Sequence, residues 1–182
     1  MKKMLFVTTA CGLLIGMSSC NPKREVPKDE VEVKDNSAAM KARFDVINDS
    51  FNTGNTAGID TLLAANSVDH SADPSMKLPD GPEGLKQVIK MMREGSPDLK
   101  SEVKMMVAEG NLLMVYGTMS GTNTGPSMGM PATNKPWSAD FTDVIKFGPD
   151  LKMTDHWGVN DNLKVMTDLG LLPAPAPADK KK

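Results

Sequence analysis

The sequence predicts a single α+β domain over residues 37–172. Segments with the three- and four-residue spacing of amphipathic helices occur only in the first half of this range. The second half consists of runs bounded by glycine, proline and asparagine, which is typical of antiparallel strands. Helices followed by a meander of strands is the order expected of an α+β protein, and the length fits one domain.

Three helices are predicted in the first half, over residues 39–51, 57–65 and 82–94. In the first helix, Met40, Phe44 and Ile47 fall on one face because they recur every three or four residues. In the third helix, Leu85 and Ile89 point inward by the same spacing. Most of the 15 methionines of the chain are predicted to fill the core, since this side chain adapts to irregular spaces.

Five strands complete the predicted domain. A brief strand that includes Val68 and His70 follows the second helix, and a turn-rich stretch then leads to the third helix. Four longer strands are predicted at residues 102–108, 111–121, 135–147 and 151–161. The last two of these strands carry the residues with candidate chemistry.

The first 19 residues predict export. They begin with Lys2 and Lys3, continue with an apolar stretch and end in small residues before Cys20, which is the layout of a secretory signal. The apolar stretch is shorter than the roughly 20 residues that span a bilayer. Residues 17–20, Met-Ser-Ser-Cys, resemble the lipobox of bacterial lipoproteins, in which the cysteine is diacylated; an ordinary signal peptide with an incidental cysteine is the alternative. Two acyl chains anchor a protein stably, so we expect a lipoprotein held in the periplasm or at the cell surface through Cys20.

Cysteine and charge content limit the chemistry and the partners. The only other cysteine, Cys11, lies in the segment that export would remove, so thiol catalysis, disulfides and metal binding through sulfur are not expected. The full chain has a formal net charge of −2, and removal of the signal takes away two lysines and no acid. Nucleic acid is therefore not an expected partner, because binding it normally needs a basic face.

Both ends of the chain are predicted to lie outside the packed domain. Residues 20–36 are rich in charge and short of large apolar groups, which is typical of a solvated tether. Residues 173–182, PAPAPADKKK, form a proline-alanine tail followed by lysines. Such a composition cannot pack a core, so we expect this tail to be disordered.

Each of the last two predicted strands has one acidic residue on an otherwise apolar face. These residues are Asp143 and Asp155, both at odd-numbered positions. If residues 148–150 form the connecting loop, Asp143 lies opposite Asp155, and Phe141 lies opposite Trp157. Repulsion between two such carboxylates raises the pKa of one of them, so that a protonated carboxyl group lies beside an ionised one. An acid and a base in this arrangement can catalyse enolisation or dehydration.

Other registers remain open at this stage. A loop of two or four residues would place His156, Thr154 or Gly158 opposite Asp143, because a one-residue slip exchanges the faces of a strand. We prefer the three-residue loop because it alone puts both apolar faces on the same side. A purely structural role is the other reading, in which either aspartate accepts a hydrogen bond from a backbone amide or pairs with a lysine at the rim.

Several motifs in residues 68–172 occur in an order that suggests a known family. They are VDHSADP, GPEGLKQVIK, SPDLKSEV, VAEGN, GTNTGPSMGMPATNKP and TDHWGVND, followed by LGLL. They resemble the SnoaL-like polyketide cyclases, also called ester cyclases, of the nuclear-transport-factor-2-like superfamily. The resemblance implies a cone-shaped fold, in which a strongly curved antiparallel sheet wraps around about three helices and encloses an apolar pocket. It also implies a homodimer formed through the sheet.

The resemblance further implies ring closure by intramolecular aldol condensation, with an aspartate as acid or base and with neither metal nor cofactor. This chain departs from the family pattern at three positions. Asn123 stands where the pattern has histidine, Asn134 where it has glycine, and Gly158 where the resemblance places the key aspartate of the cyclases. A fold does not carry an activity with it, so the function has to be argued from the site.

The strand pattern and the family resemblance together indicate the candidate site residues. The catalytic candidates are Asp143, Asp155 and His70. The ligand-binding candidates are Tyr116, Asn123, Trp137, Phe141 and Trp157. His70 and His156 are far apart with no ligand spacing, so no metal site is predicted, and His156 alternates to the polar face of its strand, outside the pocket or in a subunit contact.

Two functions remain in view from the sequence. The first is a membrane-tethered, cofactor-free enzyme that moves a proton at the carbon beside a carbonyl group of a small apolar molecule. Asp143 or Asp155 would be its base, and the other carboxyl or His70 its donor. The second is a non-catalytic lipoprotein that binds a small molecule or serves in assembly, which export favours because polyketide intermediates are made in the cytoplasm.

Overall fold

A computed structural model describes residues 35–172 of the chain. The predicted signal segment, the lipid site at Cys20, nearly all of the tether and the tail from residue 173 lie outside the described residues. Within residues 35–172, no helix is both long enough and apolar enough to cross a bilayer.

Four α-helices occur in the described residues: α1 (Ser37–Thr53), α2 (Ile59–Leu62), α3 (Pro82–Gly95) and α4 (Asn162–Asp168). The predicted first and third helices are confirmed. The second is only one turn long, because the chain already becomes extended at Leu63. The sequence reading missed α4, which begins where the side chain of Asp161 accepts a hydrogen bond from the backbone N–H of Lys164 at 3.0 Å.

Five strands form one sheet in the spatial order β1-β5-β4-β3-β2. Their bounds are β1 (Leu63–Asp69), β2 (Lys100–Glu109), β3 (Leu112–Thr122), β4 (Pro136–Phe147) and β5 (Met153–Asn160). The four longer strands are antiparallel neighbours, as predicted, whereas β1 runs parallel to β5. The sheet is therefore mixed rather than wholly antiparallel, because its edge strand β1 runs parallel to the neighbouring strand β5.

The core lies between the helices and one face of the sheet, which we call the core face. Met40, Phe44 and Ile47 of α1 are buried there, which confirms the face read from their spacing. Strand β4 contributes the odd-numbered residues Phe141 and Ile145, both at most 3% exposed. Burial of this apolar set supplies most of the stabilisation, at about 25 cal/mol per Å² of apolar surface removed from water.

Arg93 of α3 connects the helices to one another. Its Nη1 atom donates to the backbone oxygens of Phe51 at 3.0 Å and Asn52 at 2.8 Å, in the last turn of α1. Its Nη2 atom donates to the backbone oxygen of Pro97 at 2.8 Å. A cation is favourable at a helix C-terminus, because the last carbonyl groups have no partner within the helix.

The opposite face of the sheet, which we call the outer face, exposes a set of apolar side chains. Six of them are Met105, Val107, Leu112, Met114, Trp157 and Val159. Between 40% and 72% of each is accessible to solvent. The prediction that methionines mainly fill the core is therefore wrong for Met105 and Met114.

Candidate functional site

Asp69, at the end of β1, is held in a fixed orientation beside β5. Its Oδ1 atom accepts hydrogen bonds from the backbone N–H of Ser71 at 2.9 Å and from the hydroxyl of Ser71 at 2.6 Å. Aspartate favours this local turn, in which its carboxylate accepts a hydrogen bond from the backbone N–H two residues later in the chain. Parallel pairing sets Asp69 beside His156, and the Nδ1 atom of His156 lies 3.0 Å from the same oxygen.

Asp143 approaches the other side of the same imidazole ring. In the antiparallel pair of β4 and β5, His156 lies opposite Ile145 and Gly158 lies opposite Asp143. Residues opposite one another share a face of the sheet, so all of these are on the core face. The Nε2 atom of His156 lies 3.2 Å from Asp143 Oδ1, with the imidazole 26% and the carboxylate 17% exposed.

Gly158 has no side chain, and the side chains of His156, Asp143 and Ser71 approach one another in the space beside it. A Cβ atom at residue 158 would lie 3.1 Å from His156 Cε1 and 3.2 Å from both Asp143 Oδ1 and Ser71 Oγ. These approaches are tighter than most real Cβ contacts, and the backbone N–H of Gly158 also donates to Ser71 Oγ at 3.0 Å. The carboxylate of Asp143 thus lies within reach of the position at which the family resemblance places an aspartate.

The electrostatics of the cluster favour a protonated imidazole between two carboxylates. Burial alone would lower the pKa of His156, but the contacts with Asp143 and Asp69 outweigh it and raise the pKa from 6.5 to about 9. Burial raises the pKa of Asp69, but its hydrogen bonds with His156 and Ser71 outweigh that effect and lower it to about 2. At neutral pH His156 is therefore an imidazolium that faces two acids.

A second histidine–aspartate pair lies on the outer face. His70 Nε2 is 3.0 Å from Asp155 Oδ1, and the ring of His70 stacks on Trp157 with centroids 4.6 Å apart. The hydrogen bond from His70, followed by that from Thr154, lowers the pKa of Asp155. The ε-amino group of Lys146 lies 3.8 Å from the other carboxylate oxygen.

The predicted register of β4 and β5 is wrong. Asp155 lies opposite Lys146 and Trp157 opposite Val144, so Asp143 and Asp155 are on different faces of the sheet. The connection has five residues between Phe147 and Met153, and an irregularity follows at the start of β5. Such a bulge adds a residue to one strand and exchanges the faces of everything beyond it. The prediction that His156 lies outside the core face is wrong for the same reason.

The predicted ligand-binding residues do not converge. Tyr116 is on the outer side of β3, where its hydroxyl donates to Asp140 at 2.6 Å. Asn123 is buried, and its side chain accepts from the backbone N–H of Thr133 at 2.7 Å, which fixes the loop after β3. Trp137 donates from Nε1 to Ser96 at 3.0 Å. Phe141 lies in the core and Trp157 on the outer face, so the ligand roles of all five residues stay predictions.

Sequence reasoning missed Asp69, Ser71 and His156 as members of the site. The Asp-x-Ser spacing at residues 69–71 was a usable signal, because it is typical of a side-chain-fixed turn. The bulge that turns His156 inward has no comparable signal. Two open grooves, of 820 and 410 Å³, lie along α3, and neither is lined by the His156 cluster. Within residues 35–172, no group of three histidine, cysteine, aspartate or glutamate side chains is arranged to hold a metal ion.

The sheet order, with helices packed on one face of a five-stranded mixed sheet, defines a domain of the nuclear-transport-factor-2-like class. The model of the SnoaL-like polyketide cyclase family matches residues 41–169, which is nearly the whole described domain. The chain therefore belongs to the SnoaL-like polyketide cyclase family. No curated protein matches the sequence significantly.

Solved structures share the fold. TsrD from Streptomyces laurentii is 24% identical with a TM-score of 0.68, over 74% of this chain and 97% of that chain. AclR from Streptomyces galilaeus, described as a putative hydroxylase, is 23% identical with a TM-score of 0.64, over 78% and 87%. IdmH from Streptomyces antibioticus, described as a putative polyketide cyclase, is 23% identical with a TM-score of 0.61, over 72% and 98%. At this identity the likeness establishes the fold alone.

Proposed function

We propose that the chain is a membrane-tethered, cofactor-free acid–base enzyme acting on a small apolar carbonyl compound, with Asp143 as the base. The observation that carries the proposal is the position of the His156 imidazole on the core face, 3.0 Å from Asp69 and 3.2 Å from Asp143. Asp155 and His70 pair with each other on the outer face, so the proposal gives neither of them a part in the proton transfer, and His156 supplies the stabilising positive charge.

The two oxygens of Asp143 have different environments. Oδ1 faces His156, whereas Oδ2 takes part in no hydrogen bond or salt bridge within residues 35–172. An ionised carboxylate only accepts hydrogen bonds, so the free oxygen can take a proton from the carbon beside a carbonyl group. The charge of the imidazolium stabilises the enolate that forms, because it is fixed in place before the reaction and largely shielded from water.

Asp69 and Ser71 act as positioning residues in this proposal. Asp69 binds the Nδ1 side of His156 and so directs Nε2 towards Asp143, as a carboxylate orients histidine in other acid–base sites. Ser71 fixes Asp69 and also accepts from the backbone of Gly158. Return of the proton from Asp143 to another atom of the enolate would complete an isomerisation. Alternatively, attack of the enolate carbon on a second carbonyl group of the same molecule would form the ring bond and open that C=O bond to an alkoxide, which takes the proton back from Asp143.

Replacing Asp143 by asparagine is expected to lower proton exchange about 100-fold, because the amide cannot accept the proton. The measurement is loss of the α-proton signal of a panel of β-keto esters in D₂O by NMR, with the full chain. Asp155→Asn is the matched control, since it removes a carboxylate from the outer face and should change the rate less than about twofold. Equal exchange rates in the wild type and a folded Asp143→Asn variant would rule out Asp143 as the base.

Attachment through a lipid on Cys20 is part of the proposed function. It rests on the layout of residues 1–20 and the lipobox-like Met-Ser-Ser-Cys sequence. Mass spectrometry of the mature N-terminal peptide from bacterial membranes should find a diacylated Cys20, and Cys20→Ser should move the protein to the soluble fraction. An unmodified Cys20 in the membrane fraction would contradict the tether.

A non-catalytic assembly role is the second candidate, and the apolar outer face favours it. Monomeric proteins rarely leave a contiguous apolar patch of this kind in water. The proposed arrangement is a homodimer in which the outer faces of two copies cover each other. Sedimentation should show a dimer that Met114→Glu converts to a monomer, and a wild type that stays monomeric at high concentration would exclude this arrangement.

A further inference from the structure

Three methionines line one groove on the side of α3, and none of the residues of the His156 cluster is among its lining residues. The groove has a volume of 410 Å³, and its walls include Met91 of α3 and Met128 and Met130 of the loop between β3 and β4. Glu94 contributes the one acidic side chain among the lining residues. None of these residues takes part in the proposed proton transfer.

The loop holds Met128 and Met130 in a tight turn. Ser127 and Met130 exchange backbone hydrogen bonds of 3.0 and 2.8 Å, so Met128 and Gly129 are the two central residues of the turn. Both have positive φ, at 50° and 77°. This conformation costs a methionine roughly 1 kcal/mol or more, and asparagine or glycine usually occupies it. Burial does not compensate the cost, because Met128 is 41% exposed.

The turn is fastened to α3 at several points. Ser127 Oγ donates to the backbone oxygen of Met91 at 3.2 Å, and the backbone N–H groups of Thr124 and Gly125 donate to Gly95 O at 2.9 and 3.0 Å. A Cβ atom at Gly95 would lie only 2.2 Å from Ser127 Cβ, so the close approach requires glycine there. The loop that carries Met128 and Met130 is thereby held beside the turn of α3 that carries Met91.

Three thioethers in one groove are the ligand set that soft monovalent cations select. Thioether sulfur favours Cu(I) over Zn(II) and over oxygen-preferring cations, and Ag(I) has the same closed-shell character. We propose that Met91, Met128 and Met130 form a binding site for Cu(I) or Ag(I), with the carboxylate of Glu94 balancing the charge. The sequence-based expectation of no metal binding through sulfur rested on the absence of thiols from the mature chain, and the proposed site departs from that expectation because its sulfur ligands are thioethers.

Titration of the full chain with Ag(I) tests the site. Cys11→Ser and Cys20→Ser remove the thiols, which would otherwise bind the metal. With the methyl groups of methionine labelled with ¹³C, one equivalent of Ag(I) should shift the NMR signals of Met91, Met128 and Met130. The signals of the exposed Met105 and Met114 should stay in place. Competition with a Cu(I) chelator under anaerobic conditions measures the affinity for Cu(I).

Conservative variants separate the site from other methionines. Met128→Leu with Met130→Leu should weaken Ag(I) binding roughly 10-fold or more, as loss of metal-site contacts generally does. Met105→Leu with Met114→Leu removes the same number of thioethers from the outer face and should leave the affinity unchanged. Leucine is close to methionine in volume, so both variants should fold. The proposal fails if Ag(I) shifts no methionine signal, or if both double variants bind it as the wild type does.

Discussion

Replacement of His156 by leucine is expected to lower the free energy of unfolding at pH 7 by roughly 2 to 4 kcal/mol. The change removes the cation between Asp69 and Asp143 and leaves two carboxylates that face an apolar side chain. The expected loss is smaller than for a fully buried pair, because the side chain of Asp69 is 44% exposed and partly screened by water. Urea denaturation followed by circular dichroism measures the change.

The same interaction gives the wild type a defined dependence of stability on pH. The folded pKa of His156 is about 9, against 6.5 for the free side chain, so the contribution is complete below pH 6.5 and is lost as pH rises through 9. For Asp69 the folded pKa is about 2 against 3.8, so its contribution is present above pH 3.8 and is lost as pH falls through 2. Stability from this cluster is therefore greatest between about pH 4 and 6.5.

His70→Leu is the matched control for His156. It breaks a histidine–aspartate pair of the same length, but on the outer face, with 38% of the histidine side chain exposed. The expected cost is below about 1 kcal/mol. If the two leucine variants lose equal stability, or if the difference between wild type and His156→Leu does not shrink above pH 9, the ion-pair account of the cluster is incorrect.

Replacement of Arg93 by methionine is expected to lower the free energy of unfolding by roughly 3 kcal/mol. Methionine keeps an unbranched apolar stem but removes the charged donor from the backbone oxygens of Phe51, Asn52 and Pro97. Those oxygens then lose a charge-assisted hydrogen bond, and the C-terminus of α1 loses its cation. Urea unfolding of the full chain measures the cost.

Two further variants on α3 define the Arg93 effect. Arg93→Lys keeps the charge but lacks the planar fork, so it should recover only part of the loss. Lys90→Met removes an exposed cation, 3.8 Å from Glu94, and should change stability by less than about 0.5 kcal/mol. A loss in Lys90→Met as large as that in Arg93→Met would show that net charge, rather than contact with α1, determines the result.

The fold could be predicted from the sequence where local pattern and tertiary packing agree. The spacing of Met40, Phe44 and Ile47 predicts the buried face of α1, and all three are buried. The parallel pairing of β1 with β5 could not be read in this way, since nothing near Leu63 in the sequence specifies a partner about ninety residues away. The one-turn helix α2 is likewise determined by that pairing rather than by helix propensity.

The site could be predicted only in part, because the register between β4 and β5 depends on a backbone irregularity. Alternation along β4 correctly places Asp143 on the core face. Along β5 the same rule fails, since Leu151 adopts a left-handed φ of 60° in the connection and a bulge follows before Asp155. Leucine is not a residue that signals this conformation, so the inward position of His156 was not accessible from the pattern.

The parallel junction of β1 and β5 also determines when the candidate site can exist during folding. Asp69 and His156 are 87 residues apart in the chain, so their contact has a high sequence separation and a high entropic cost of closure. Neither the nascent chain up to β4 nor any fragment that stops before Met153 contains both residues of this contact. The cluster is therefore a property of the completed domain, and no autonomous hairpin or helix pair within it carries the chemistry.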